Sequence, residues 1–99
     1  MKEPALPRRP ALVTLIWTHH AARAFDALRE PYRTQVDRML TRFVLYGEGD
    51  VRSIQGYPGR YRLKSTSHRE IYRVSFLFLD DALLIADVER RDKAYRPKH

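Results

Sequence analysis

The spacing of apolar residues changes once along this chain, and that change limits the folds available to it. In the first half, apolar residues recur every three to four positions, as in Ala21, Ala24, Phe25 and Leu28, which predicts amphipathic helices. From Val51 onward they recur at every second position, which predicts strands with one covered face. The pattern therefore predicts a single α+β domain in which two helices precede most of a sheet.

The helical half divides into two segments with recognisable ends. Thr18 is suited to N-cap a first helix that runs from His19 to about Arg29. Pro31 is suited to begin a second helix, and the apolar spacing continues to Gly47, a plausible C-cap. With a turn of two or three residues, the segments form a helical hairpin. Its polar face carries Arg33, Asp37, Arg38 and Arg42.

Strands are predicted before and after this hairpin. The apolar run 12–17 predicts a central or well-covered strand, buried on both faces. Pro58 followed by Gly59 fits a type II turn, and Asp80-Asp81 predicts a further turn. The strands after the hairpin, three or four in number and antiparallel, are expected within 51–55, 60–64, 69–78 and 82–88.

Basic side chains alternate with apolar ones in the strands that follow the Pro-Gly turn. Tyr61 and Tyr72 fall on the apolar face, and we interpret them as core residues. If the two neighbouring strands pair with their faces aligned, four basic residues share one surface: Arg62, Lys64, Arg69 and Arg73.

The charge of the chain favours a polyanionic partner. It has 19 Lys and Arg against 12 Asp and Glu, a net charge of +7, although a merely solvated basic face remains an open alternative. Hydrophobic residues, at 43%, suffice for a packed core. The proline-rich segment 1–11, with Arg8 and Arg9, predicts an extended arm.

Several classes of protein are disfavoured by what the sequence contains. There is no cysteine, so disulfide frameworks and Cys-based metal sites are excluded. No apolar run approaches the ~20 residues of a membrane span, and the first residues lack a signal-peptide pattern, so we expect a cytoplasmic protein. The neighbours His19 and His20 would point about 100° apart on a helix and are not expected to share a metal.

In their order and spacing, these features resemble the RelE/ParE superfamily of type II toxin–antitoxin toxins. The resemblance extends over roughly 12–96 and rests on the strand–helix–helix opening followed by three motifs: GYPGRYRL at 56–63, REIYRV at 69–74 and RRDKAY at 90–95. It implies a RelE-like β-α-α-β-β-β domain over 12–99, with an antiparallel sheet that packs on the hairpin and leaves its other face open.

The resemblance also implies an activity. RelE-like members cut messenger RNA in the ribosomal A site without a metal or cofactor, whereas ParE-like members inhibit DNA gyrase. The RelE-like catalytic positions carry the nuclease-type residues here: Arg62, Lys64, Arg69, Arg91 and Tyr95. Further RNA contacts are expected from Arg60, Arg73, Arg90, Lys93 and Arg96. A cognate antitoxin with an acidic amphipathic segment is the expected partner. The alternative is a gyrase inhibitor or a catalytically weak binding protein.

Each catalytic candidate has a chemical role in this interpretation. Arg62 and Arg69 would grip phosphate oxygens, and Lys64 would act as the base. Arg91 would neutralise the leaving oxygen, and Tyr95 would stack on a base or orient the 2′-hydroxyl. All are also open to a structural interpretation as exposed charges, ion-pair partners or packing residues.

Arg90 departs from the nuclease pattern, and the role of Asp87 is open between two alternatives. Many relatives have histidine before the last arginine, where this chain has Arg90. Asp87 interrupts an apolar strand, and it either pairs with Arg69 or Arg91 or serves as a solubility residue on an edge strand.

Overall fold

Five strands and two helices lie in residues 14–64 and 71–90, the part of the chain that the computed structural model describes. In chain order the elements are β1 (Thr14–Trp17), α1 (His19–Asp26), α2 (Tyr32–Tyr46), β2 (Asp50–Ser53), β3 (Arg60–Lys64), β4 (Tyr72–Phe78) and β5 (Ala82–Arg90). The predicted α+β class and the order of elements are confirmed. The predicted arm at 1–11 lies outside the described residues.

The sheet has the strand order β1-β5-β4-β3-β2. Strands β2 to β5 are antiparallel neighbours, as predicted, whereas β1 pairs in parallel with β5. A parallel pair needs a long connection, which the intervening hairpin and strands supply. The prediction that the first strand is central is wrong, because β1 is an edge strand and Ile16 is 42% exposed. Its apolar run alternates between a covered and an open face.

Thr18 and Gly47 cap the two helices as their local sequence predicts, whereas Pro31 is the N-cap of α2 and not its first residue. The Thr18 hydroxyl accepts a hydrogen bond from the Ala21 N–H at 3.0 Å and caps α1. Gly47 ends α2 in the left-handed conformation at φ 70°, where a side chain would be strained. Helix α1 stops at Asp26, short of the predicted Arg29, so the connection to α2 is longer than predicted. No described helix is long and apolar enough to cross a membrane.

The core lies between the hairpin and one face of the sheet. Leu63, Phe76 and Ile85 are at most 1% exposed, and the Phe43 ring of α2 lies 5.6 Å from that of Phe76. Tyr61 also packs against this core, as predicted. The side chains on the other face of the sheet, which we call the open face, alternate with these in every strand.

A β-bulge interrupts the pairing of β4 with β5. Ser75 pairs with Asp87 while Phe76 pairs with Ile85, so Ala86 is the extra residue. Thr18 binds the backbone of the extra residue and of the residue before it: its N–H donates to the Ile85 carbonyl at 3.0 Å and its hydroxyl to the Ala86 carbonyl at 3.3 Å. One residue therefore caps a helix and holds the bulge.

We expect the Thr18→Ala variant to lose about 1–2 kcal/mol of unfolding free energy, because it loses a helix cap and leaves the Ala86 carbonyl without its hydroxyl donor. Thr18→Ser keeps the hydroxyl and should stay within about 0.5 kcal/mol of the parent. Urea titrations of the three proteins measure the difference. Equal losses in both variants would mean that the methyl group, and not the hydroxyl, stabilises this junction.

Candidate functional site

The charged part of the open face consists of side chains that the strand register places in two rows. In one row, Asp50, Lys64, Arg73 and Glu89 lie side by side on β2, β3, β4 and β5. In the other row, Arg52, Arg62, Ser75 and Asp87 occupy the same four strands. Because neighbouring strands are about 4.8 Å apart, each row is compact enough to span a few nucleotides.

Strand β3 contributes the predicted residues of this face. Arg60, Arg62 and Lys64 alternate with the buried Leu63 and the core-facing Tyr61, as the sequence predicts. The turn before β3 determines where the strand, and with it this series of side chains, starts. The Arg60 N–H donates to the Tyr57 carbonyl at 3.0 Å, and Gly59 has φ 83°, which agrees with the predicted type II turn. The Arg60 guanidinium lies over the Tyr57 ring, 5.9 Å from its centre.

Asp50 organises the cations on this face, and the sequence analysis missed it. One carboxylate oxygen lies 3.1 Å from Arg52 Nε and the other 3.5 Å from Lys64 Nζ. Burial raises the pKa of the Asp50 carboxyl, but the hydrogen bonds and charges of Arg52 and Lys64 outweigh burial and lower the pKa overall. Asp50 also offsets the repulsion between Arg52 and Arg62, which are directly opposite on β2 and β3.

Arg73 lies on the predicted face but is not a surface residue. It is 4% exposed and lies on the central strand β4, flanked by Lys64 of β3 and Glu89 of β5. Arg62, Lys64 and Arg73 therefore share a face as predicted, but Arg73 is not exposed, and Arg69 lies outside the described residues.

Arg90 is not brought to the open face. It pairs with Tyr72, whose ring faces the hairpin and lies 5.5 Å from that of Tyr32. Alternation along β5 gives Arg90 the helix side of the sheet, opposite to Glu89. The other predicted site residues, Arg69, Arg91, Lys93, Tyr95 and Arg96, lie outside the described residues.

An acidic pair on β5, Asp87 and Glu89, is the second feature of this face, and the sequence analysis singled out only Asp87. The Asp87 carboxylate accepts a hydrogen bond from the Val88 N–H at 2.8 Å. The same oxygen lies 3.0 Å from His20 Nε2 of α1. Of the two alternatives for Asp87, a solubility residue on an edge strand is wrong, since β5 lies between β1 and β4. The other, a pairing with Arg69 or Arg91, falls outside the described residues. The sequence does contain a sign of this arrangement. Asp87 lies two residues after Ile85 and four after Leu83, so a regular strand would bury its charge with them, and a bulge avoids that burial.

Glu89 lies beside Asp87 on the open face and is half-buried. Burial raises the pKa of the Glu89 carboxyl, and so do the hydrogen bond and the negative charge of Asp87. The positive charges of Arg62 and Arg60 lower it only in part, so the pKa stays above its ordinary value. Within the described ranges, no group of three or more His, Asp or Glu residues is arranged to hold a metal ion.

Comparisons with known proteins bear on the architecture. No protein-family model matches the chain, and no curated protein matches it. Solved structures do match: the RelB-RelE antitoxin-toxin complex of Methanococcus jannaschii has a TM-score of 0.62 at 15% identity, with 81% of this chain and 94% of that chain covered. The chain has the fold of the RelE toxins.

Two further structures show the same RelE fold. The isolated Escherichia coli RelE toxin matches with a TM-score of 0.61 at 17% identity, over 79% of this chain and 83% of that chain. The YoeB dimer of Staphylococcus aureus matches with a TM-score of 0.60 at 15% identity, over 80% of this chain and 97% of that chain. The overall arrangement of helices and strands is therefore shared with these structures at low sequence identity.

The lowered pKa of Asp50 gives a prediction for stability. A carboxyl whose pKa is lower in the folded than in the unfolded state stabilises the fold above its unfolded pKa, and this contribution is lost as the pH falls through the folded pKa. We expect Asp50→Asn to cost about 0.5–1 kcal/mol at pH 7 and to cost nothing near pH 2. Denaturant titrations across this pH range, at low and high salt, measure the difference.

The matched control for this experiment is Asp37→Asn. Asp37 is exposed on α2, and no ion pair involves it among the described residues. It should show no pH-dependent difference. A loss at Asp50→Asn that is independent of pH would contradict the ion-pair explanation and point to packing instead.

Proposed function

We propose that this chain is the toxin of a type II toxin–antitoxin system and that it cleaves messenger RNA on the ribosome. The observation that supports this proposal is the row of Arg60, Arg62 and Lys64 along β3, on the open face of a RelE fold. Arg62 and Lys64 are two of the five positions that carry nuclease-type residues in the resemblance to RelE-like toxins, and Arg60 is a predicted RNA contact. Neither a metal nor another cofactor is required by this chemistry.

Clustered cations suit RNA cleavage because the substrate supplies its own nucleophile. The 2′-hydroxyl attacks the adjacent phosphate, and the protein stabilises the additional negative charge on the phosphorane. The planar guanidinium of Arg62 is suited to bind two phosphate oxygens at once. Lys64, held by Asp50, presents an ammonium group to the same region. In this proposal Arg69, Arg91 and Tyr95 complete the site.

The acidic residues on the open face favour a requirement for the ribosome. Five cationic side chains share the described face with three carboxylates, those of Asp50, Asp87 and Glu89. Such a face releases fewer counterions from RNA than a uniformly basic face, so its affinity for unstructured RNA is lower. We therefore expect cleavage where the ribosome holds the messenger in place and little cleavage of the same RNA in solution.

Removing one cation from β3 tests the site. We expect Arg62→Ala and Lys64→Ala each to lower cleavage of messenger RNA on programmed ribosomes by something on the order of 10²-fold or more, because a donor to the transition state is lost. Arg38→Ala is the matched control: it removes the same charge from the exposed face of α2 and should cleave like the parent. Primer extension on the messenger measures the rate and position of cleavage.

Induced expression in cells distinguishes the nuclease from the gyrase inhibitor. Under the proposal, protein synthesis stops and transcripts are cut at defined codons, and both effects disappear in the Arg62→Ala variant. If protein synthesis continues while DNA supercoiling fails, the proposed nuclease is wrong and the chain is a gyrase inhibitor. If neither process is affected, the chain is a binding protein without toxicity.

An antitoxin partner is part of the proposal. The Methanococcus jannaschii RelE toxin forms a complex with its RelB antitoxin. For this chain we propose a partner with an acidic amphipathic segment that covers the open face, because such a segment complements Arg60, Arg62 and Lys64.

The association rate of such a partner should depend on salt. We expect it to fall by about tenfold or more between low and high ionic strength, with a much smaller change in the dissociation rate, because complementary charges accelerate encounter. Arg62→Ala should flatten this dependence more than Arg38→Ala does. Surface plasmon resonance at several salt concentrations measures both rates. An association rate that ignores salt would mean that the antitoxin docks away from the open face.

A further inference from the structure

The sequence analysis names Lys64 as the base for RNA cleavage, but the contacts of Lys64 favour a different role, which leaves the proton acceptor unassigned. Its ammonium lies 3.5 Å from the Asp50 carboxylate and is 37% exposed, so its position suits a cation that neutralises phosphate. A general base needs a lone pair at working pH. Asp50, the carboxylate next to Lys64 in the same row, is held by Arg52 and Lys64. The other carboxylate of that row is Glu89 on β5.

Glu89 stands in that row, with Arg73 between it and Lys64. Two strand spacings place the Cα atoms of Glu89 and Lys64 about 10 Å apart, and both side chains are long enough to reach a phosphate between them. Arg73, on the strand between them, is buried and adds a positive charge to this part of the face. A carboxylate and an ammonium thus flank a position that is electrostatically suited to an anion.

Asp87 fixes the surroundings of Glu89. Its oxygen is held by the Val88 N–H at 2.8 Å and lies 3.0 Å from His20 Nε2, so its carboxylate has little freedom to turn away. Among the described residues, the charged groups that face Glu89 are Asp87 on its own strand, Arg62 and Arg60 on β3 and Arg73 on β4. The titratable His20 of α1 contacts Asp87.

We propose that Glu89 is a catalytic residue that accepts the proton of the attacking 2′-hydroxyl, and that Asp87, held by His20, is the residue that positions it. This inference rests on the proposed RNA cleavage and names its base. The raised pKa of Glu89 supports it, because a general base is most effective when its pKa lies nearer the working pH than that of an ordinary carboxyl.

The step balances with groups on this face and water. The Glu89 carboxylate takes the proton from O2′ while O2′ forms a bond to phosphorus and the bond from phosphorus to O5′ breaks. The leaving O5′ takes a proton from the Lys64 ammonium. The products are a 2′,3′-cyclic phosphate and a 5′-hydroxyl, and Glu89 then returns its proton to water while Lys64 regains one.

The test compares Glu89→Gln with the parent on programmed ribosomes in single-turnover reactions. We expect the variant to cleave about 10²-fold or more slowly while its affinity for the programmed ribosome is unchanged or higher, since a negative charge is removed. The parent rate should rise with pH as Glu89 loses its proton, and this rise should be absent in the variant. Glu48→Gln, at an exposed position after α2, is the matched control and should behave like the parent.

Misfolding is excluded by a separate measurement. A carboxyl whose pKa is raised by folding stabilises the fold fully only below its unfolded pKa, and this contribution declines as the pH rises through the folded pKa. Glu89→Gln should therefore be at least as stable as the parent at pH 7 in a urea titration. A slow variant with parental stability loses chemistry and not structure.

Asp87→Asn tests the positioning role. Its negative charge raises the pKa of Glu89, so its removal should move the rise in rate to lower pH. A merely structural role for Asp87 would change the rate and leave the midpoint of the profile in place.

The outcomes separate this inference from the proposed function. If Glu89→Gln cleaves like the parent, or is slower with the same pH profile, Glu89 is not the base and the nuclease proposal stands. If the parent cleaves no messenger on ribosomes, the proposed function fails first and the assignment of Glu89 fails with it.

Discussion

The bulge at Ala86 is the constraint on which the open face depends. Side chains in a strand alternate between two faces, so Asp87 would follow Leu83 and Ile85 into the core if β5 were regular. The extra residue shifts the phase, and Val88 takes the buried position while Asp87 and Glu89 turn to the open face. Thr18 binds the backbone at this point, which couples the start of α1 to the place where the acidic pair emerges.

The core gives the site its geometry. Leu63 and Phe76 are buried against the hairpin, and a slip of one residue in β3 or β4 would drive charged side chains among them. The register is therefore strongly fixed, and with it the order of Lys64, Arg73 and Glu89 across three strands. Individual ion pairs on the exposed face contribute little to stability, so these charges are positioned by the sheet more than they stabilise it.

What the sequence predicts correctly is local, and what it misses depends on which strands become neighbours. The helix caps at Thr18 and Gly47 and the Pro58-Gly59 turn follow from residue types a few positions apart. Strand order does not, which is why the edge position of β1, the burial of Arg73 and the helix-side position of Arg90 were not foreseen. Asp50 and the contact of His20 with Asp87 link residues far apart in sequence and have no local signature.

The likeness to RelE toxins and the details of the open face carry different information. A shared fold does not fix an activity, because one fold can support several. For the proposed nuclease, the reaction depends on which charges occupy the open face. The cations of β3 lie between carboxylates from β2 and β5. In that proposal, this layout weakens unselective binding of RNA and places a proton acceptor near the same phosphate. Affinity and catalysis would then be opposed on this surface, and a messenger already held by the ribosome would resolve that opposition.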